Sequence, residues 1–589
     1  MREPRRPAVS TLTGSESIAL SLIATVAAIV VGAYLADRVG GAFTPWLALA
    51  VAVVVGACRM VSLGRSANWE TAETATFLAI VAVTFGWLLW IARPTLFPLG
   101  SGPDLTHHLL LIHYIETHWT LVRDPAAQEF LGEMVQYTPG SHILTALAGA
   151  WVRSNGLHAM HAVMAASAAL KASFVFLIAK RILPHESQRT PIAALASISL
   201  FASQIYFLGS FAQYSFLAQV VAESFAVAMW WTLTVWDQHH ERWLMPYAGL
   251  LGAAVFLTWP ILIGPPLVVL GILIVLRDAV RLKPGTTYVA KVIDASIAVA
   301  PIVIVAVLFS VGRMRYVEIA GTGGEAPIPM ARAYGWIFLV LSSAGIVIGA
   351  ANLPPSRPKG ASAILALFAA AILLQAGGLY LFAHARGNDP YMTRKMFYML
   401  LYPQAVGVAL TVGTLWKGLP GRANHLRQGY GGPPKRFAKP EAGHYVRFAA
   451  VIPLVAAVFV ARPLVGAPKS LLVGKHPATS LELEQAGTWV VDHVDPHCVE
   501  YLVGDDNTAY WLHLAVLGNP RRGARTGDNA TYELTPALVR WLTPGGFPYA
   551  IADLRVVPSD IKADANLVAQ FGSAAVMKRE GPSSCPLNP

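Results

Sequence analysis

Apolar residues in this chain gather into runs of about 20, divided by short segments rich in Arg, Lys, Pro and Gly, and about 20 is the length one helix needs to cross a bilayer. Such runs lie near residues 17–35, 43–61, 72–91, 157–180, 192–208, 216–236, 244–259, 261–275, 289–308, 335–351, 361–382, 396–416 and 448–465. If each crosses once, the pattern predicts about 13 transmembrane helices. A barrel is excluded, because its strands alternate over about 10 residues. The run 142–152 is short for a span and follows Pro139-Gly140, so it is read as a half-inserted or interfacial helix.

After residue 465 the pattern changes. Segments 481–493 and 536–542 have helical periodicity, 499–503 and 549–556 read as strands, and Tyr510-Trp511-Leu512-His513-Leu514 alternates. The fold class expected is therefore a polytopic α-helical membrane protein, residues 1–465, followed by a small extracytoplasmic α/β domain, residues 466–589.

Composition agrees with that division. Hydrophobic residues make up 55% of the chain, charged residues 13%, and the mean hydropathy is +0.51. The net charge of +11 is concentrated in a few loops, which points to cytoplasmic loops and anionic headgroups and away from nucleic acid. Arg59/Arg65, Lys180/Arg181/Arg189, Arg242, Arg277/Arg281/Lys283, Arg357/Lys359 and the segment 417–447 all fall on one side if the N-terminus is cytoplasmic and 142–152 does not cross. The N-terminal apolar run is an anchor, since it lacks a small-residue cleavage site. Cys498 and Cys585 then lie on the oxidising side, where a disulfide between them is expected. Cys58 sits inside a span as a packing residue, and Asn529-Ala530-Thr531 is a glycosylation sequon.

Two outer loops carry the candidate chemistry. The first holds Asp104, His107 and His108, which share one face of a helix starting near Asp104. Asp104 is equally suited to cap that helix. Tyr137-Thr138-Pro139-Gly140-Ser141-His142 follows in the same loop. These imidazoles with Asp104 supply a base and binding groups, or ligands for a divalent cation such as Mg or Mn, held by Asp104, His107 and His108. The second loop, 384–395, contains Arg386, Asp389, Arg394 and Lys395. Adjacent cations at the non-cytoplasmic end of a span suit a lipid phosphate, though they also suit headgroup contacts. Within the spans, Lys171, Gln219 and Glu223 must face the bundle interior, with Lys171 and Glu223 expected to pair.

The Asp-x-x-His element after an early span, the Tyr-x-Pro-Gly-x-His element, the stretch 250–260 ending in Thr258-Trp259-Pro260, and the late Arg394-Lys395-Met396-Phe397-Tyr398 with Pro403 together resemble the GT-C superfamily of lipid-carrier-dependent glycosyltransferases. The resemblance covers about residues 72–416. It implies a polyprenyl-phosphate-sugar donor, a glycan or lipid acceptor outside the cytoplasm, Asp104 as base of an inverting transfer, and Arg394 and Lys395 on the lipid phosphate. His107, His108, Tyr137, His142, Arg386 and Asp389 would line the substrate site. The tail and the Ala/Arg/Gly-rich composition also resemble actinobacterial cell-wall arabinofuranosyltransferases, several of which carry an Asp-Asp pair where this loop has Asp104 alone. The place implied is a bacterial plasma membrane, in cell-envelope synthesis. A flippase or transporter of lipid-linked saccharides would use the same basic patches, and a polymerase acting on a pyrophosphate carrier would use outer-loop Arg and a His base.

Overall fold

The computed structural model describes residues 12–64, 68–99, 103–123, 131–183, 189–201, 215–239, 241–278, 287–311, 335–352, 361–428, 480–518 and 532–585, with Ser203, Phe207 and Ser210 between them. Helices α1 (Gly14–Arg38), α2 (Pro45–Gly64), α3 (Thr71–Ile91), α4 (Pro103–His118), α5 (Gly140–Trp151), α6 (Gly156–Ile182), α7 (Arg189–Leu200) and α8 (Leu217–His239) form the first part. They are followed by α9 (Met245–Thr258), α10 (Gly264–Asp278), α11 (Thr287–Ser310), α12 (Trp336–Ala350), α13 (Ala361–Ala385) and α14 (Tyr391–Gln428). Among the described residues, six helices are long and apolar enough to cross a membrane: Gly14–Arg38, Thr71–Ile91, Gly156–Ile182, Val292–Ser310, Ser362–Ala385 and Tyr391–Trp416. The chain is a membrane protein built on such helices.

Several apolar runs fold as shorter pieces. The run 192–208 becomes the 12-residue α7, and 244–259 becomes the 14-residue α9, broken at Trp259-Pro260 before a single 3₁₀ turn. The run 448–465 lies outside the described residues. Helix α5 has 12 residues and is buried along nearly its whole length, in keeping with a segment that does not span.

The two ends of the bundle are anchored differently. At one end, the base, α1 begins with a capping box in which Thr13 and Glu16 exchange hydrogen bonds, and Glu16 takes the Arg181 guanidinium at the end of α6. Lys180 beside it binds Glu73 of α3 and, at 2.7 Å, Glu70. At the other end, the mouth, Asp37 of α1 accepts hydrogen bonds from the Leu121 amide and from Arg123, both at 2.9 Å. Between them the core is dense with aromatic rings; Trp230 is fully buried and stacks on Phe368 at 4.4 Å. Exposed Trp46, Val53, Val83, Ile304 and Leu374 on α2, α3, α11 and α13 present an apolar outer surface, as lipid contact requires.

The tail contains α15 (Leu481–His493), β1 (Val499–Leu502), α16 (Asp506–Trp511), α17 (Leu534–Leu542), β2 (Tyr549–Asp553), α18 (Ser559–Asp564), β3 (Asn566–Phe571) and β4 (Ala574–Lys578). One sheet in the order β1-β2-β4-β3 pairs β1 with β2 in parallel and the other neighbours antiparallel. Both helices and both strands read from the sequence are present. The alternating stretch 510–514 is not a strand, however: α16 ends in a turn of π-helix over Leu512–Val516, in which Trp511 and Leu512 are both buried where this segment packs on α15 and α4. The Cys498–Cys585 disulfide forms. The backbone of Cys58 lies in α2 as expected; the Asn529 sequon lies outside the described residues.

Candidate functional site at the mouth of the bundle

Helix α4 starts at Pro103, one residue earlier than expected, so Asp104 occupies its first turn and is not the capping residue. Pro is favoured at that first position because its missing N–H would have no partner there. A carboxylate in the first turn sits at the positive end of the helix dipole. Backbone spacing keeps 104, 107, 108 and 111 on one face.

One turn on, His108 Nδ1 lies 2.9 Å from Nε2 of His142 on α5, and the Tyr137 ring stands edge-on to both imidazoles. His142 is fully buried and His108 nearly so, whereas His107 is half-buried. Burial, reinforced by the neighbouring His108, drives His142 well below its ordinary pKa, against a hydrogen bond to the Thr138 backbone. The pair therefore carries at least one neutral imidazole at pH 7. A nitrogen separation of 2.9 Å is that of a hydrogen bond between the two rings, and is shorter than the ~3.4 Å between neighbouring ligands of a tetrahedral ion bound at about 2.1 Å.

The second outer element was placed in a loop by the sequence, but its cations are helical. Helix α14 begins at Tyr391, so Arg394 and Lys395 lie in its first turns and diverge by about 100° around the axis. Arg394 turns to Asp389 at 2.8 Å. Arg386 is exposed and lies 4.0 Å from the Phe382 ring. Lys395 instead turns inward and is 2% exposed. Its ammonium stands 2.8 Å from the Phe216 ring centroid, 5.2 Å from Tyr391, 5.7 Å from Tyr398 and 5.9 Å from Trp259. Sequence reasoning missed those four rings. Only the 391/395/398 spacing on α14 signalled any of them.

Trp259 links the two elements. Thr138 Oγ1 donates to the Thr258 carbonyl at 2.8 Å, and a side chain at Gly140 would collide with Thr258 Oγ1 and the Leu257 carbonyl. Only glycine lets the Tyr137–His142 segment close on the α9 break. The histidine pair is thus built on one side of that break and the Lys395 ammonium on the other.

Two further groups went unread in the sequence. Glu116 repeats the 104/108/112 spacing on α4 and is wedged against Gly149 and Gly156; burial pushes its carboxyl up to about 8. Glu484 of α15 reaches Asn155 at 3.3 Å and His158 at 3.2 Å, which holds the tail against the mouth. Deeper in the bundle, the expected Lys171–Glu223 pair forms at 2.6 Å.

No family model matches the sequence, and no curated protein does. Among solved structures, ArnT from Cupriavidus metallidurans bound to undecaprenyl phosphate superposes with a TM-score of 0.50 at 16% identity, over 86% of this chain and 98% of that one. The Archaeoglobus fulgidus oligosaccharyltransferase gives 0.46 at 12% identity, over 82% and 69%. The GT-C resemblance drawn from the outer-loop motifs is thereby met at the level of the fold, which this chain shares with ArnT across almost the whole of that protein.

Proposed function

We propose that this chain is a membrane glycosyltransferase that moves a sugar from a polyprenyl-phosphate donor to a glycan or lipid acceptor on the extracytoplasmic side. The observation that carries the reading is Lys395, a buried ammonium ringed by aromatics at the mouth, across the Trp259 break from a histidine pair and the helix bearing Asp104. A phosphate reaching that ammonium would be held by a strong charge-assisted contact. ArnT, which has the same fold, binds undecaprenyl phosphate.

In the transfer, the acceptor oxygen attacks the anomeric carbon, its proton passes to the Asp104 carboxylate, and the bond from that carbon to the phosphate oxygen breaks with inversion. Lys395 offsets the charge left on the phosphate. Arg394, tethered to Asp389, and Arg386 serve at the rim with His107. Tyr137, His108 and His142 shape the acceptor side. A divalent cation held by Asp104, His107 and His108 would supply Lewis-acid polarisation. The mouth then faces outward and the base faces the cytoplasm, with the N-terminus inside and the tail, a small α/β domain spanning 466–589, outside. Cell-envelope synthesis in a bacterial plasma membrane is the corresponding setting, and an arabinofuranosyl donor is one member of the donor class.

The test is transfer from a panel of undecaprenyl- and decaprenyl-phosphate sugars by purified protein, wild type against Asp104→Asn, with and without chelator. A drop of about 10³-fold in the variant is expected from loss of the base. Equal turnover removes Asp104 from the mechanism. Absence of transfer from every donor returns the flippase and polymerase readings.

A further inference from the structure

Seven residues inward from Lys395 on α14, the Tyr402 hydroxyl donates to Glu223 Oε2 at 2.5 Å. The same carboxylate accepts from Lys171 Nζ at 2.6 Å and, on its other oxygen, from Gln219 Nε2 at 2.9 Å. All four residues are at most 2% exposed. The carboxylate thus joins α6, α8 and α14 at a single point.

The spacing on the two outer partners is the same. Phe216, just before α8, meets Lys395, and Glu223 on α8 meets Tyr402, so both elements place seven residues between their two rungs. Both rungs ascend in the same order, so α8 and α14 run parallel here. Seven residues advance a helix about 10.5 Å and fall about 20° short of two full turns, which keeps both rungs on one face. Sliding α14 by one residue would rotate that face by about 100° and carry Lys395 away from Phe216 and Trp259.

We infer that the Lys171–Glu223–Tyr402 set fixes the register of α14 against α6, on which it packs, and across to α8, and so positions the mouth lysine. These are positioning residues; none touches the reacting atoms. Apolar side chains would hold three helices together at no charge-burial cost. A directional bond between one hydroxyl and one carboxylate is what selects a single register, as a lone buried polar residue does in a coiled coil. The significance of the set for function rests on the proposed phosphate-holding role of Lys395.

The test is a coupling measurement on the full chain in nanodiscs, with undecaprenyl phosphate itself as the probe. Tyr402→Phe keeps the ring and removes only the hydroxyl; it is expected to weaken binding about tenfold, the size of one hydrogen bond to a charged group. In a Lys395→Met background the same change is expected to have no further effect, because Tyr402 acts through the lysine. An equal loss in both backgrounds, or no loss in the first, overturns the inference. If wild-type protein does not bind undecaprenyl phosphate, the phosphate reading fails, and the register is then decided by a measurement that needs no ligand. That measurement is the rate at which N-hydroxysuccinimide acetate acylates Lys395, followed by peptide mass spectrometry. A severalfold faster rate in Tyr402→Phe and in Glu223→Gln supports the positioning role, and an unchanged rate in both overturns it.

Discussion

The base of this bundle and the histidine–lysine site at its mouth both bury ionisable groups, and they surround them differently. At the base, Glu16 meets Arg181, and Lys180 lies between Glu70 and Glu73; Thr13 and Ser15 complete the Glu73 carboxylate. Each charge there faces a charge of opposite sign on another helix. At the mouth, two imidazoles share a contact beneath a tyrosine, and the Lys395 ammonium stands among four rings. Ion pairing of the first kind closes a surface and leaves little attraction for a ligand. On the proposed reading, the second kind serves an incoming phosphate and acceptor. Burial of an ionisable residue therefore does not identify a site; the nature of its neighbours does.

The sharpest way to break this contrast is to remove one lysine from each end. Lys180→Met leaves Glu73 buried without its cation, and about 3–5 kcal/mol of stability should be lost, seen as a large fall in thermal midpoint. Adding Glu73→Leu should recover most of it. Lys395→Met should lower the midpoint less, yet reduce lipid-phosphate affinity about 100-fold. Equal stability losses at both ends would erase the distinction.

Smaller effects sharpen it through pH. Glu116 has its folded-state carboxyl raised to about 8 from an unfolded value of 4.5, so the folded state binds the extra proton and stability falls as pH rises across that window. Glu116→Gln should raise the thermal midpoint little at pH 5 and most above pH 8. His142 runs the other way. Its folded-state pKa lies well below the ordinary 6.5, so its contribution is intact above 6.5 and is lost as pH falls below it. His142→Gln should flatten the decline in midpoint between pH 7 and pH 5; a decline unchanged by the substitution would show that the pair is solvated.

The sequence made the apolar runs legible because lipid allows few alternatives to a helix, and it disclosed the Lys171–Glu223 pair because two charges in neighbouring spans have to meet. The tail disulfide followed from an isolated cysteine pair expected on the oxidising side, and the extent of α15 from local spacing. The ring cluster around Lys395 did not, since Phe216, Trp259 and the tyrosines come from three separate elements. The separate fates of Arg394 and Lys395 depended on where α14 begins, and a start set five residues too late left both in a loop. The β3–β4 hairpin was also missed: its turn at Gly572, with φ +58°, is followed by a strand that opens on Ala574-Ala575, residues with little β-forming character.

Helix α5, at 12 residues, is about 18 Å long, against a hydrocarbon layer of about 30 Å. Protein, and not lipid, surrounds it on nearly every side, with Trp151 at its far end donating to the Pro45 carbonyl. The polar side chains of Ser141, His142 and Thr145 are thereby kept from any acyl chain by a helix that covers little more than half of the layer.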